Sequence, residues 1–319
     1  MSELEKAAQI VVKDCLAVES EEEVLIIVDQ LRQKIGEAIY KAAQGLGAEV
    51  MLVKMLERDS HGAEPPLTIA EAMKEADVVI MPTTKSLSHT SARVEACKSG
   101  ARAVTLPGIT AEMMKRTLNA DYKKIKERSE KLAKQLSAAQ KARITAPNGT
   151  DLELILEERK GHPDTGIYHQ PGDFGNLPAG EAYIAPVEGK ANGKFVVDGS
   201  MSGAEVHTEE IELIVEDGFV TEIKGEKAAQ ELEGMIAPYG EEARNIAELG
   251  IGTNDQAQLV GNILEDEKVM STVHVAIGDN STMGGNVEVA SHLDGIIEEP
   301  TLELDGRIIM KQGQIINEE

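Results

Sequence analysis

Continuous apolar runs alternate with stretches of helical periodicity along the N-terminal part of the chain. Leu4, Ala8, Val11, Val12, Cys15 and Leu16 recur at helical spacing and predict an amphipathic helix. Val24-Leu-Ile-Ile-Val28 follows, a run of strand length that is apolar on both faces, as in a strand buried between two layers of helices. Residues 31–46 return to helical spacing and stop at Gly45-Leu-Gly47. The alternation continues with a strand over 49–55, a helix over 68–75, a strand over 77–81, a helix over 91–99, a strand over 103–106 and a helix from Thr110. Repeated β-α units predict an open, mostly parallel α/β sheet whose ligand loops lie at the carboxyl ends of the strands. No G-x-G-x-x-G follows the first strand, so no dinucleotide is assigned.

The pattern then changes. Residues 121–142 read as a long charged helix with Ile125, Leu132 and Leu136 on one side, a connector between halves. Beyond it, residues 143–147, 152–156, 195–198, 210–215, 219–223, 302–304 and 307–310 read as short strands, several parted by Asn-Gly, Asp-Gly or Gly-Lys turns. A single helix is expected over 228–235. The expected organisation is an N-terminal α/β domain with its connector helix over 1–142, then a β-rich α+β metal-binding domain over 143–319.

Composition narrows the function. With no Trp, three Phe and five Tyr in 319 residues, the core must be aliphatic, and base-stacking platforms are not expected. A formal charge of −24 repels phosphate backbones and anionic lipid, which argues against nucleic acid or a membrane as partner. Cys15 and Cys97 show no metal-binding or disulfide spacing, which fits a reducing compartment. The N-terminus is acidic and amphipathic where a signal peptide is basic and then apolar, and no run approaches bilayer length. A soluble, cytoplasmic protein is expected.

The candidate chemistry centres on residues 269–294, VMSTVHVAIGDNSTMGGNVEVASHLD. On a strand, His292 and Asp294 point to the same face and can offer an imidazole nitrogen and a carboxylate to one point, with His274 upstream. Glu181, in Asn176-Leu-Pro-Ala-Gly-Glu-Ala-Tyr-Ile-Ala-Pro186, and Glu248, in Asn245-Ile-Ala-Glu-Leu-Gly-Ile-Gly252, are acids in apolar, Gly/Pro-punctuated segments. A buried carboxylate is costly unless paired or bound to a cation. Imidazole and carboxylate sets are what divalent transition ions prefer. A separate loop, Pro82-Thr-Thr-Lys-Ser-Leu-Ser-His-Thr-Ser-Ala-Arg93, carries His89, Lys85 and Arg93 at a strand's carboxyl end. Its plain role is capping the next helix through Ser88 or Ser91; its functional role is substrate contact or proton transfer by His89.

The order and surroundings of Glu181, Glu248, His274, His292 and Asp294 resemble the M29 family of metal-dependent aminopeptidases, the aminopeptidase T type. The resemblance rests on Asn176-Leu-Pro178 to Glu181 with Ile184-Ala-Pro186, Glu248-Leu-Gly-Ile-Gly252, Glu265-Asp-Glu267 ahead of His274-Val-Ala-Ile-Gly278, and His292-Leu-Asp294. Where these peptidases carry a Tyr soon after the third ligand, this chain has Asp279-Asn-Ser-Thr282. The resemblance implies two divalent ions, zinc, cobalt or manganese, held by all five residues with Glu248 bridging. It also implies hydrolysis of the N-terminal residue of small peptides by a metal-activated water, and a homodimer. If Glu181 or Glu248 is not a ligand, it becomes the general base. The same architecture resembles the 2,5-dihydroxypyridine dioxygenases, which implies instead one Fe(II) held by His274, His292 and Asp294, with His89 assisting proton transfer. Two histidines and a carboxylate are also the general ligand set of non-haem iron oxygen chemistry.

Overall fold

The computed structural model describes residues 1–203 and 209–316. The chain divides into two compact units, one formed by Met1–Lys124 with Gly166–Ala179, the other by Ile125–Thr165 with Gly180–Glu319. The division does not coincide with the cut expected at residue 142: it falls inside the helix Tyr122–Ala138, and a later segment returns to the first unit.

The first unit holds the expected parallel sheet, ordered Glu49–Lys54, Glu23–Val28, Val78–Met81, Arg102–Thr105, Phe174–Asn176. Each neighbouring pair is parallel. Its central strands, Glu23–Val28 and Val78–Met81, are buried almost throughout, which is why they read as unbroken apolar runs rather than alternating ones. The helices begin where the sequence offers caps. Ser2 forms a capping box with Glu5, Thr90 accepts from the Arg93 N–H, and Thr110 accepts from the Met113 N–H. The connector helix ends at Ala138, earlier than expected. Lys141–Thr145 is already a strand, paired on one side with Asp151–Ile155 and on the other with Thr301–Leu304.

The second unit contains two antiparallel sheets. One has eight strands, ordered Phe219–Lys224, Ile211–Glu216, Asn192–Val197, Asp151–Ile155, Lys141–Thr145, Thr301–Leu304, Arg307–Lys311, Gln314–Ile315. The other has five, ordered His292–Ile297, Val273–Gly278, Ile246–Gly252, Glu181–Ile184, His162–Asp164. Alternation along the five-stranded sheet sorts its residues. Ala182, Ile184, Leu249, Ile251, Val273, Val275, Ile277 and Ile297 join one core with Leu152, Leu154, Phe195 and Leu213 of the larger sheet and Leu132 and Leu136 of the helix. The residues between them point to the opposite face. No helix among the described residues is long and apolar enough to cross a membrane.

Candidate metal centre

The face turned away from the core gathers all five acids and histidines singled out in the second half of the sequence. The registers pair Gly252 with Glu181, Gly250 with His274, Ala276 with Asp294, and Gly278 with His292. Residues paired across an antiparallel ladder share a face, so Glu181, Glu248, His274, His292 and Asp294 stand together. The intervening positions are kept small. A Cβ at Gly250 would lie 1.9 Å from Nε2 of His274, so the imidazole lies across the backbone of the neighbouring strand where only glycine leaves room.

Contacts fall into two groups that share Glu248. His274 Nε2 lies 3.2 Å from Glu181 Oε2 and 3.4 Å from Glu248 Oε1. His292 Nε2 lies 3.2 Å from Glu248 Oε2 and 3.3 Å from Asp294 Oδ1. Each imidazole nitrogen therefore faces two carboxylate oxygens, although one ring nitrogen can direct a hydrogen bond along only one line. The mismatch shows at Glu181, whose buried Oε2 is close enough to His274 for charge pairing yet has no hydrogen bond among the described residues. Lone pairs converging without enough protons to serve them suit a cation, and both groups are compact enough to hold a metal ion.

The surroundings orient these donors. The Asp279 carbonyl oxygen lies 2.7 Å from Nδ1 of His292; with Nδ1–H donating to it, Nε2 is the nitrogen left to face the acids. Ser202 donates from Oγ to Asp294 Oδ2 at 3.3 Å, and its hydroxyl oxygen accepts from the Asp294 N–H at 2.9 Å. Lys268 donates to Glu181 Oε1 at 2.6 Å. Burial opposes ionisation of Glu181, but Lys268 and His274 outweigh it and hold the carboxyl down at about 2. Asp294 is held well below the usual carboxylate range, burial being outweighed by His292. Both imidazoles are pushed well above the ordinary histidine value: burial disfavours their charge, while Glu181 and Glu248 around His274, and Asp294 and Glu248 around His292, favour it more. Protons on the imidazoles thus supply the positive charge these acids require.

His89 lies in the first unit, exposed, between Ser88 and the capping Thr90. Capping falls to Thr90, not to Ser88 or Ser91 as expected; Ser88 instead bonds Thr105 at 2.7 Å and Asn176 at 3.2 Å. Asp29, at the end of Glu23–Val28, ties this loop down by accepting from the Thr84, Leu31 and Arg32 N–H groups. Sequence reasoning missed Lys268, Asp279 and Ser202. Lys268 was out of its reach, because Glu265-Asp-Glu-Lys268 has the composition of a solvated helix end.

The profile of the 2,5-dihydroxypyridine 5,6-dioxygenase family, NicX, matches residues 3–317. The chain belongs to this family. A solved structure of 2,5-dihydroxypyridine dioxygenase from Pseudomonas putida superposes with a TM-score of 0.85 at 22% identity, covering 100% of this chain and 99% of that one. AmpT from Thermus thermophilus, an M29 aminopeptidase, superposes with a TM-score of 0.74 at 18% identity, covering 99% of each chain. Among curated proteins no sequence matches significantly. The chain thus has a mixed α/β fold of metal-dependent enzymes, shared with the aminopeptidase T type.

Proposed function

We propose that this chain is a metal-dependent dioxygenase that opens the ring of a hydroxylated pyridine or related aromatic. The observation that carries the reading is the match to the NicX family from residue 3 to residue 317. His274, His292 and Asp294 would hold one Fe(II), a donor set suited to that ion. When bound, the iron supplies the redox chemistry that lets O2 react with an aromatic ring. The chain's own groups do the rest. The Asp279 carbonyl fixes the His292 ring, and the Ser202 hydroxyl fixes Asp294. Glu248, between the two histidines and not needed as a ligand, accepts the proton of a substrate hydroxyl on a carboxylate oxygen.

The test is anaerobic loading with Fe(II), followed by O2 uptake and loss of ring absorbance with 2,5-dihydroxypyridine. Equimolar O2 and ring consumption is the expected result. Iron-loaded protein that consumes no O2 with any hydroxylated pyridine would sink the proposal. A second reading, an aminopeptidase, is favoured by one observation: Glu248 belongs to both donor groups, as a carboxylate bridging two ions would. It expects zinc-, cobalt- or manganese-loaded protein to hydrolyse dipeptides and aminoacyl anilides.

A further inference from the structure

Lys268 is a buried cation among the acids of the site. Its side chain is 3% exposed, and its Nζ lies 2.6 Å from Glu181 Oε1, 2.7 Å from Glu267 Oε1 and 3.6 Å from Asp164 Oδ2. The backbone that carries it is pinned. The Lys268 N–H donates to the Glu265 carbonyl at 2.9 Å, and its carbonyl accepts from the Asn254 N–H at 2.9 Å. A Cβ at Gly252 would lie 2.0 Å from the Val269 oxygen and 2.8 Å from the Lys268 carbonyl carbon, so the strand Ile246–Gly252 packs directly on this turn. The ammonium is a fixture of the second unit.

The two donor groups therefore differ. In the group of Glu181, Glu248 and His274, one oxygen of Glu181 is already engaged by Lys268. Around His292 and Asp294, which with His274 would hold the iron, the ion pairs run between imidazole and carboxylate, His292 Nε2 lying 3.2 Å from Glu248 Oε2 and 3.3 Å from Asp294 Oδ1. A divalent ion in the first group would sit one carboxylate away from an ammonium held by three acids, and like charges at that range in a buried site repel strongly.

We infer that Lys268 stands in for a second metal ion: it neutralises Glu181 and restricts the site to one divalent ion per chain. The inference builds on the metal-binding reading above and explains how a fold shared with an aminopeptidase would be confined to a mononuclear centre. Glu181 is then a partner of Lys268 rather than a ligand.

The experiment is ion stoichiometry, measured by elemental analysis after anaerobic loading with Fe(II) and by calorimetric titration with Mn(II), neither of which depends on turnover. The native chain is expected to take up about one ion. Lys268→Met keeps an apolar stem and removes the charge, and is expected to raise uptake about twofold. Glu181→Gln tests the same idea without touching Lys268 and is expected to leave uptake at about one. Two ions in the native chain, unchanged uptake in folded Lys268→Met, or loss of the ion in Glu181→Gln would each overturn the inference. Failure of the functional reading is separable: one ion without ring cleavage leaves the role of Lys268 standing, whereas two ions with ring cleavage removes that role alone.

Discussion

At the scale of single residues, the site depends as much on what is missing as on its donors. Gly250 faces His274 across the ladder, and a methyl group there would overlap the imidazole at 1.9 Å from Nε2. Gly250→Ala must therefore displace His274 while leaving the rest of the strand able to pair. The expected outcome is at least about tenfold weaker metal binding with the fold intact, measured by competition with a chromophoric chelator and by circular dichroism. Undiminished affinity would mean that His274 is not a ligand. Glu248→Gln separates base from ligand, since it keeps the shape and removes the charge. With Glu248 as base, iron content stays near native and ring cleavage falls by about 10²–10⁴-fold. Loss of the iron would instead make Glu248 a ligand and favour the two-ion peptidase.

At the scale of elements, His292 is positioned by the loop between Val273–Gly278 and His292–Ile297. Asn280 is fully buried there; its N–H donates to the Val287 carbonyl at 3.0 Å and its Oδ1 accepts from the Val287 N–H at 2.9 Å. Its Nδ2 donates to Glu188 at 2.9 Å, and Glu188 also accepts from Arg159 and from the Asn286 N–H. This knot holds the Asp279 carbonyl against His292. Asn280→Ala is expected to weaken metal binding by about 10–100-fold, the usual effect of removing an outer partner of a ligating histidine, without loss of either histidine. An unchanged affinity would show that the turn backbone alone suffices. The five-stranded sheet was partly legible in the sequence, because Val273-His-Val-Ala-Ile-Gly278 alternates core and site residues with the period of a strand. His292 and Asp294 were read that way. Glu181 and Glu248 were noticed as acids in apolar surroundings; around Glu248, a bulge between Ile246 and Glu248 and the glycines after it obscure the alternation.

At the scale of the molecule, the parallel sheet was legible because buried central strands show as apolar runs, whereas the return of Phe174–Asn176 to its edge was not. Three residues carry no periodicity, and their pairing with Ala103–Thr105 is settled by contacts about seventy residues apart in sequence. The charge balance of the second unit was also only half legible. Its acids were visible, but not that metal-free folding places protons on both histidines. That placement fixes the pH response. Charged His274 and His292 stabilise the metal-free fold fully below their ordinary value of 6.5, and this contribution is lost as pH rises through their raised folded values. Glu181 contributes above its ordinary 4.5 and loses that contribution as pH falls towards its folded value of about 2. A metal ion must displace the imidazole protons, so its binding strengthens with pH over the range where the metal-free protein is losing their contribution. If both protons are released, affinity rises about 100-fold per pH unit, equivalent to about 2.7 kcal/mol. The rise in melting temperature on adding excess Mn(II) should therefore grow steadily from pH 6 to pH 8 in scanning calorimetry, with the metal-free melting temperature flat or falling. A metal-induced rise that does not change with pH would mean that neither histidine exchanges a proton for the ion, and the ligand set would have to be sought among the carboxylates alone.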